Sequence, residues 1–445
     1  MCKLENTCGG PNWRVRLATR SGGSIALFFF FFFFFLLFIP WSAFGEQPIP
    51  ASQFVDSIGI NTHLHYGPLY TDDFPLVLRR LRELGVHHIR NGLQATKKPE
   101  FYDRVKAVND AGIKVLWILK ADQPSDLVLS YLDRFPNGID GFEAPNEFDA
   151  SKRSDWIPVM KQYMSHMYSL VKQDSRTSRL WIVGPSLTRP QSYAALGDQS
   201  AYMDVANLHN YPGSRNPGTP GWGAANSHGA RYGSIAWNLQ LGQDVWGKPI
   251  WTTEYGYNNS DTARDGVPEE VAAIYLPRAF LEQYLQGIRR TYLFELLSAH
   301  AGHDGTYGVL RVDGSPKPAF IAVSNLLRLL GDDSRTFSLS RAEFSLAGDL
   351  TDVHHLLLQK SDSSYFLLLW IEKPCFDPDS RRRIPVQQQA ISVRFGEPVA
   401  RLESYRLQAN GTLRQFKEHL DGHRLPVNIS DTVVAIHFST TLSLQ

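Results

Sequence analysis

The chain has 445 residues, enough for one large domain and a smaller one. Its 45 basic and 44 acidic residues give a net charge of +1. The net charge therefore gives no indication of a nucleic-acid or anionic-membrane partner. Aromatic residues make up 12%, which suits a sugar-binding cleft as well as a large core.

The N-terminal residues predict a targeting segment outside the fold. An uninterrupted apolar run at 25–39 follows a basic region and ends at Pro40, and Ala43 and Gly45 are the small residues of a cleavage site. We therefore expect residues 1–45 to be a signal peptide and the protein to be secreted, whether periplasmic or extracellular. The alternative is an uncleaved membrane anchor, although the run is shorter than the roughly 20 apolar residues of a spanning helix.

The three cysteines are Cys2, Cys8 and Cys375. Cleavage leaves only Cys375, so we expect no internal disulfide, and the spacing of the three excludes a three-cysteine metal site.

From Phe54 to about Leu330, short apolar runs alternate with longer amphipathic ones. Strands are predicted at 54–61, 87–90, 114–119, 139–144, 180–183, 205–208, 250–253 and 291–294. Helices are predicted at 73–84, 102–111, 125–135, 156–172, 269–285 and 318–330. Eight such units indicate an α/β fold, a (β/α)8 TIM barrel over residues 46–332. A doubly wound open sheet is the alternative, but no Gly-rich phosphate loop follows the first strand.

After about Asp333 the pattern changes to strands separated by turn signals such as Asn410-Gly411. The predicted strands are 353–358, 365–370, 390–395, 402–407 and 432–438, and the polar stretch 377–383 is predicted to be a loop. The pattern indicates a small C-terminal β-sandwich over residues 333–445.

Two glutamates follow predicted barrel strands, at the ends where the active site of such a barrel lies. Glu147 follows strand four, directly after Asn146, a residue type that can donate to a sugar 2-hydroxyl. Glu254 follows strand seven and is adjacent to Tyr255, whose hydroxyl type can keep a carboxylate ionised by donating to it. Two carboxylates in one pocket can cleave a glycosidic bond, whereas a helix cap and a surface charge are the alternatives for Glu147 and Glu254 respectively.

Three further residues are predicted to support Glu254. His209 and Tyr211 follow strand six and point to the same side, since they lie two apart on an extended segment. Arg90 ends strand two and can form a charge-assisted bond to Glu254. The alternatives are a core tyrosine, a buried hydrogen-bonded histidine and a structural ion pair.

The remaining candidates are weaker. His63 and His65 follow strand one, where sugar contacts or ordinary loop roles are favoured over a metal, so we expect no metal and no cofactor. Trp222, in a loop rich in Gly, Pro and Asn, could stack on a sugar or anchor its loop. Glu295 could bind the substrate or form an ion pair with Arg289 or Arg290.

On these residues the chain resembles retaining glycoside hydrolases of clan A. Asn146-Glu147 and Glu254 match the family's paired motifs, and Arg90, His209 and Tyr211 are similar to the cellulase type. The β-xylosidase and iduronidase type is similar in its C-terminal sandwich. Two departures are Phe148, where many relatives have Pro, and Phe294-Glu295, where the cellulase type commonly has a Trp.

The resemblance implies a retaining O-glycosidase with Glu254 as nucleophile, Glu147 as acid/base and carboxyl groups about 5–5.5 Å apart. The expected partner is a glycoside, oligosaccharide or polysaccharide substrate. A secreted carbohydrate-binding protein on an inactive barrel and a transglycosylase are the alternatives.

Overall fold

The computed structural model describes residues 45–96, 98–219, 234–263, 265–298, 306–332 and 336–441. The predicted signal segment therefore lies almost entirely outside the described residues, as does Trp222. No described helix is long and apolar enough to cross a membrane.

Eight parallel strands form the predicted barrel. In chain order they are Ile58–Asn61, His88–Gly92, Lys114–Ile118, Ile139–Glu143, Trp181–Val183, Ala206–His209, Ile250–Tyr255 and Thr291–Leu293, here barrel strands 1 to 8. Neighbouring strands pair in parallel except for strands 5 and 6, and strand 1 pairs with strand 8. An isolated bridge between Val183 and Val205 joins strand 5 to the segment that leads into strand 6. The (β/α)8 prediction is confirmed, and the C-terminal ends of all eight strands share one mouth.

Helices surround the barrel. They are Ala51–Asp56, Pro68–Asp72, Phe74–Leu84, Pro99–Asp110, Ser125–Arg134, Trp156–Lys172, Pro190–Leu196, Ile235–Trp246, Glu269–Leu285 and Pro318–Leu330, with short 3-10 turns at Phe148–Ala150 and Ser200–Tyr202. The helix predicted from Asp73 begins one residue later, at Phe74, because Asp73 is its N-terminal cap and accepts from Leu76 N. Ser125 is already helical, as predicted for 125–135, and its hydroxyl lies 2.8 Å from His166 Nε2.

The prediction of one strand over 54–61 is wrong in its first half. Ala51–Asp56 is a helix that buries Ala51, Phe54 and Val55, and the strand begins only at Ile58. These residues have the spacing of one helical face, which the short apolar run concealed. Gly59 in the new strand is required, because a Cβ there would lie 2.5 Å from the buried Tyr292 ring.

The C-terminal sandwich is also confirmed, with two facing sheets. The larger contains Ile49–Pro50, Val353–Gln359, Tyr365–Ile371, Val434–Thr440, Val399–Leu407 and Leu413–Phe416, and the smaller contains Phe344–Gly348, Gln389–Phe395 and Arg424–Ile429. The polar stretch predicted as a loop contains a short hairpin, Phe376–Asp377 with Arg382–Arg383. The strand Ile49–Pro50 pairs with Val353–Gln359, so the chain passes through the sandwich sheet before it enters the barrel.

The large sandwich sheet is buried on both faces. In Tyr365–Ile371, Leu367 and Leu369 belong to the core between the two sheets, whereas Leu368 and Trp370 belong to the core shared with the barrel. Alternate side chains of a strand point to opposite faces, so an apolar run without alternation fits a strand between two cores. The sandwich and the barrel therefore form one continuous packed body.

Candidate active site

Arg90 lies at the centre of the barrel mouth and is only 1% exposed. Its Nε and Nη2 donate to Glu143 at 2.8 and 2.7 Å, and its Nη1 donates to Glu254 Oε1 at 2.6 Å. Nη1 also donates to Asn61 Oδ1 and Nη2 to Asn146 Oδ1. Burial alone would lower the pKa of Arg90. The two carboxylates raise this pKa by more than burial lowers it, so the guanidinium stays charged.

Glu254 is the penultimate residue of strand 7, lies inside the mouth and is 7% exposed. Its Oε2 accepts from the Tyr211 hydroxyl at 2.7 Å and lies 3.6 Å from His209 Nδ1. Burial by itself would raise the pKa of Glu254. The positive potential of His209 and Arg90 and the bonds from Tyr211 and Arg90 outweigh burial, so the pKa falls below its ordinary value and the carboxylate is ionised at neutral pH.

Glu147 occupies a different environment. Its side chain is 33% exposed, and its Oε1 lies 2.8 Å from His209 Nδ1. Its φ of 44° is in the left-handed region, which turns the chain sharply between strand 4 and the following 3-10 turn. Asn146 beside it accepts from Arg90 with Oδ1, and its Nδ2 has no partner among the described residues.

One carboxylate oxygen of Glu147 and one of Glu254 lie within 4.8 Å of each other, with the His209 ring nitrogen in the same group. Three such ligand atoms could hold a cation. Arg90 already places a positive charge 2.6 Å from Glu254, which disfavours a metal ion there by charge repulsion.

A hydrogen-bond network below the pair fixes it to the barrel. His209 Nε2 lies 3.0 Å from Thr253 Oγ1, which also lies 3.1 Å from Glu143 and 2.8 Å from Asn207 Oδ1. His209 on strand 6 pairs with Glu254 and Leu208 with Thr252, so the register shifts by one residue at this point. This irregularity lets the consecutive residues Thr253 and Glu254 both reach groups in the barrel interior.

The predicted support of Glu254 by Tyr255 is not formed in the described structure. The Tyr255 hydroxyl lies 3.3 Å from that of Tyr257, whose ring contacts Tyr275 on the helix Glu269–Leu285. Tyr255 follows Glu254 directly, so it points to the opposite face of the strand, into the outer core. Tyr211 on the neighbouring strand provides the hydroxyl instead.

A second group of predicted residues forms the wall at strands 1 and 8. His63 Nε2 lies 2.9 Å from Glu295 Oε2, and its ring is 6.3 Å from that of Phe294, where the resemblance leads one to expect a Trp. The predicted alternative partner Arg290 lies at the other end of strand 8 and binds Asp56 and Asp140. Arg290 precedes strand 8 and Glu295 follows it, so the two lie at opposite ends of the barrel. Glu295 is therefore at the mouth.

His65 lies beside this wall, its ring 4.5 Å from that of Tyr66. Burial, together with the charges of His63, Lys120 and Arg104, lowers the pKa of His65 to about 4, so it is neutral at pH 7. Its Nδ1 is buried without a hydrogen-bond partner among the described residues.

A cavity of about 630 Å³ opens next to Asn146. It lies between the loops after strands 2, 3 and 4, and its walls include Leu119, Phe148 and Val159 together with Gln94 and Lys120. Its volume is in the range of small-molecule sites.

Sequence reasoning missed Glu143, Asn61 and Asn207. Glu143 was inside an apolar strand, and a buried carboxylate at such a position requires a cation, which the arginine ending strand 2 provides. That pairing was the available signal, since both residues are close to the C-terminal ends of barrel strands.

Comparison with known proteins supports the fold. No family model and no curated protein sequence matches the chain. Among solved structures, a family 39 glycoside hydrolase from Bacteroides cellulosilyticus has 17% identity and a TM-score of 0.60, over 88% of this chain and 82% of that one. A β-xylosidase from Caulobacter crescentus (15%, 0.57) aligns over 89% of this chain and 98% of its own. An α-L-arabinofuranosidase from Thermotoga maritima (12%, 0.58) aligns over 88% and 98% respectively. The expected likeness to the glycoside-hydrolase barrel with a C-terminal sandwich is confirmed at the level of fold.

Proposed function

We propose that this protein is a retaining glycosidase that cleaves O-glycosidic bonds by double displacement. The observation that carries the proposal is the pairing of Glu147 and Glu254, with carboxylate oxygens within 4.8 Å, at the C-terminal mouth of the barrel. A retaining enzyme needs carboxyl groups about 5–5.5 Å apart, because one attacks the sugar directly. An inverting enzyme leaves room for a water between them and needs a longer separation.

Glu254 is the nucleophile. Its lowered pKa keeps it ionised, and Arg90 and Tyr211 hold its two oxygens at 2.6 and 2.7 Å. Fixed donors of this kind restrict the carboxylate to one orientation before the substrate arrives.

Glu147 is the acid/base. It is the more exposed of the two carboxylates, as a group that must meet both a leaving group and a water requires. His209, 2.8 Å away, orients its carboxyl group. The free Nδ2 of Asn146 is placed to donate to the sugar 2-hydroxyl.

The reaction has two steps. In the first, a Glu254 oxygen bonds to the anomeric carbon while the bond to the leaving oxygen breaks, and Glu147 gives that oxygen its proton. In the second, Glu147 takes a proton from water, the water oxygen bonds to the anomeric carbon, and the bond to Glu254 breaks. The sugar leaves with its original configuration, and both carboxyl groups return to their starting states.

Two surfaces beside the carboxylates bind different parts of the substrate. The sugar that is attacked contacts His63, Phe294 and Glu295, where a ring face and a buried carboxylate can bind apolar and hydroxyl groups of one pyranose or furanose. The cavity beside Asn146 and Phe148 accommodates a further part of the glycoside. The solved structures with a similar fold include a β-xylosidase and an arabinofuranosidase, which makes pentosides sensible first substrates.

The deciding experiment is a screen of the purified protein on aryl glycosides and on plant and microbial polysaccharides. We expect release of a sugar whose anomeric configuration, followed by NMR during the first turnovers, is that of the substrate. Glu254→Ala and Glu147→Ala serve as matched controls. Transfer of the sugar to another sugar would identify a transglycosylase, and glycan binding without turnover would identify a carbohydrate-binding protein.

We also propose that the protein is secreted, because its N-terminal segment has the features of a signal peptide. N-terminal sequencing of the protein recovered from the medium or periplasm should begin near Glu46. Recovery only in the membrane fraction with an intact N-terminus would indicate an anchor.

A further inference from the structure

Two sandwich residues bind the loops that follow barrel strands 6 and 7. The first is Glu372, whose side chain is 2% exposed. It pairs with Arg278 of the helix Glu269–Leu285, where Nε lies 2.8 Å from Oε2 and Nη2 2.5 Å from Oε1. Its Oε1 also accepts from Asn216 Nδ2 at 2.8 Å and from the Gly218 amide at 2.9 Å. A single buried carboxylate thus fixes the loop after strand 6 to the sandwich.

The loop lies directly on this side chain. A Cβ at Gly218 would be 2.2 Å from Glu372 Cγ, so only glycine permits the contact. Burial alone would raise the pKa of Glu372, but the Arg278 charge and the donors from the loop lower it, and the carboxylate remains an acceptor.

The second is Arg381, in the hairpin that follows Glu372. Its Nη1 donates to the carbonyls of Ala263 and Gly266 at 3.1 and 3.3 Å, and its Nη2 donates to that of Ser260 at 3.3 Å. These three carbonyls belong to the loop after strand 7. One guanidinium therefore closes that loop on itself and on the sandwich.

Both loops begin within two residues of the proposed nucleophile or its support. The loop after strand 6 starts at Asn210, next to Tyr211, which binds Glu254 Oε2, and the loop after strand 7 starts at Gly256, two residues beyond Glu254. Tyr257 joins the two, since its hydroxyl donates to the Arg215 carbonyl at 2.9 Å. Displacement of either loop would move Tyr211 or Glu254.

We propose that the sandwich is a positioning element of the active site, in which Glu372 and Arg381 hold the loops after strands 6 and 7 so that Tyr211 stays bonded to Glu254. The sandwich thereby maintains the nucleophile, in addition to covering apolar surface of the barrel. The catalytic part of this inference rests on the proposed glycosidase function, whereas the loop contacts do not.

The test uses the full chain with two variants and a matched control. Asn216→Ala removes the side-chain bond to Glu372 and leaves the Arg278 pair intact. Arg381→Asn removes the guanidinium at a position with φ of 55°, a conformation that asparagine tolerates well. The control is Asn325→Ala, which removes the bond from Asn325 Nδ2 to the Gly411 carbonyl, another contact between barrel and sandwich that involves neither loop.

The first readout is amide hydrogen exchange, which needs no substrate. We expect Asn216→Ala to speed exchange in residues 211–219 and Arg381→Asn to speed it in residues 256–267, while Asn325→Ala changes neither. The second readout is kinetic. Glu254 is faced by Arg90, Tyr211, His209 and Glu147, and loss of the Tyr211 bond moves the acidic limb of kcat/KM to higher pH. We expect kcat to fall about tenfold with KM within about twofold in the two loop variants.

The outcomes separate the two proposals. Unchanged exchange in both loops, in variants that melt cooperatively, would overturn the positioning role, as would loosened loops with an unaltered pH profile. Loosened loops in a wild-type protein that hydrolyses no glycoside would retain the contacts between sandwich and loops but refute the glycosidase function. An equal loss of activity in Asn325→Ala would overturn the positioning role, because it would show that the sandwich only stabilises the protein as a whole.

Discussion

Arg90 Nη1 lies 2.6 Å from Glu254 Oε1, and the other two nitrogens of the same guanidinium bind Glu143. One buried cation thus serves two buried carboxylates, only one of which, Glu254, faces the open mouth with 10% of its side chain exposed. Glu143 holds Arg90 in place, and Arg90 in turn orients Glu254 and favours its ionised form.

Removal of either catalytic carboxylate should abolish hydrolysis, and with an activated aryl glycoside, whose leaving group departs without a proton from Glu147, azide should restore product by a different route in each case. In Glu254→Ala, azide can occupy the space of the nucleophile and attack directly, giving a glycosyl azide of inverted configuration. In Glu147→Ala, azide attacks the glycosyl-enzyme and the configuration is retained. NMR of the azide products distinguishes the two, and near-wild-type activity of either variant would refute the assignment.

Tyr211→Phe should raise the pKa of Glu254, because it removes a donor that favours the charged carboxylate. The acidic limb of the kcat/KM profile should then move upward by about one pH unit, the equivalent of one hydrogen bond to a charged group. The sign follows from the fact that Glu254 must be ionised to attack. Rates measured from pH 3 to 7 test this shift, and an unmoved limb would mean that Tyr211 does not act on Glu254.

Glu143→Gln should destabilise the fold, since the amide nitrogen of Gln would face one of the two Arg90 nitrogens that now donate to Glu143 oxygens. A buried donor left without its acceptor costs about 1–3 kcal/mol of unfolding free energy. The control is Asp110→Asn, which breaks the exposed pair with Lys106 and should change stability by less than about 0.5 kcal/mol. Denaturant unfolding of both variants makes the comparison, and equal small effects would contradict the role given to Glu143.

Glu295→Gln should alter which sugar is preferred. A buried carboxylate that binds a hydroxyl contributes about 10-fold or more in kcat/KM, and an amide replaces only part of that bond. The loss should be large for the best glycoside and small for its analogue lacking the hydroxyl concerned. A uniform loss across all deoxy analogues would show instead that Glu295 serves only to hold His63.

Lys317 should make stability depend on alkaline pH. Burial lowers the pKa of Lys317 to about 8 in the folded protein, so between that value and its higher unfolded pKa the unfolded chain binds more protons than the folded one. The unfolding free energy therefore rises with pH over this window. Wild type should gain in melting temperature relative to Lys317→Met between pH 7 and pH 9.5, and a constant difference would contradict this origin.

Much of this site could be predicted because barrel geometry converts sequence position into location. Glu147 and Glu254 each follow an apolar strand, and parallel strands in a closed barrel end at one mouth. Arg90 follows the same rule. The chemistry of each residue type then supplied a candidate role without any knowledge of distances.

The failures come from side-chain direction and from contacts between distant segments. Tyr255 was expected beside Glu254 but points to the outer face, because the register irregularity at Thr253 and Glu254 fixes which consecutive residues reach the interior. His209 reaches Glu254 at 3.6 Å, but its shorter contact with Glu147, at 2.8 Å, was not predicted. Helical spacing in Ala51–Asp56 was also concealed by a short apolar run, where strand and helix patterns overlap.

The sequence by itself determined that this protein is a barrel with a following sandwich, because the period of apolar residues sets the type of each element and the order of elements limits the topology. It also determined which carboxylates reach the mouth. Only the tertiary structure decided that Arg90 is shared with Glu143, and that Glu372 and Arg381 hold the loops beside Glu254. Those contacts join residues from about 50 to more than 150 positions apart, and no local pattern encodes which buried charges meet once two domains pack together.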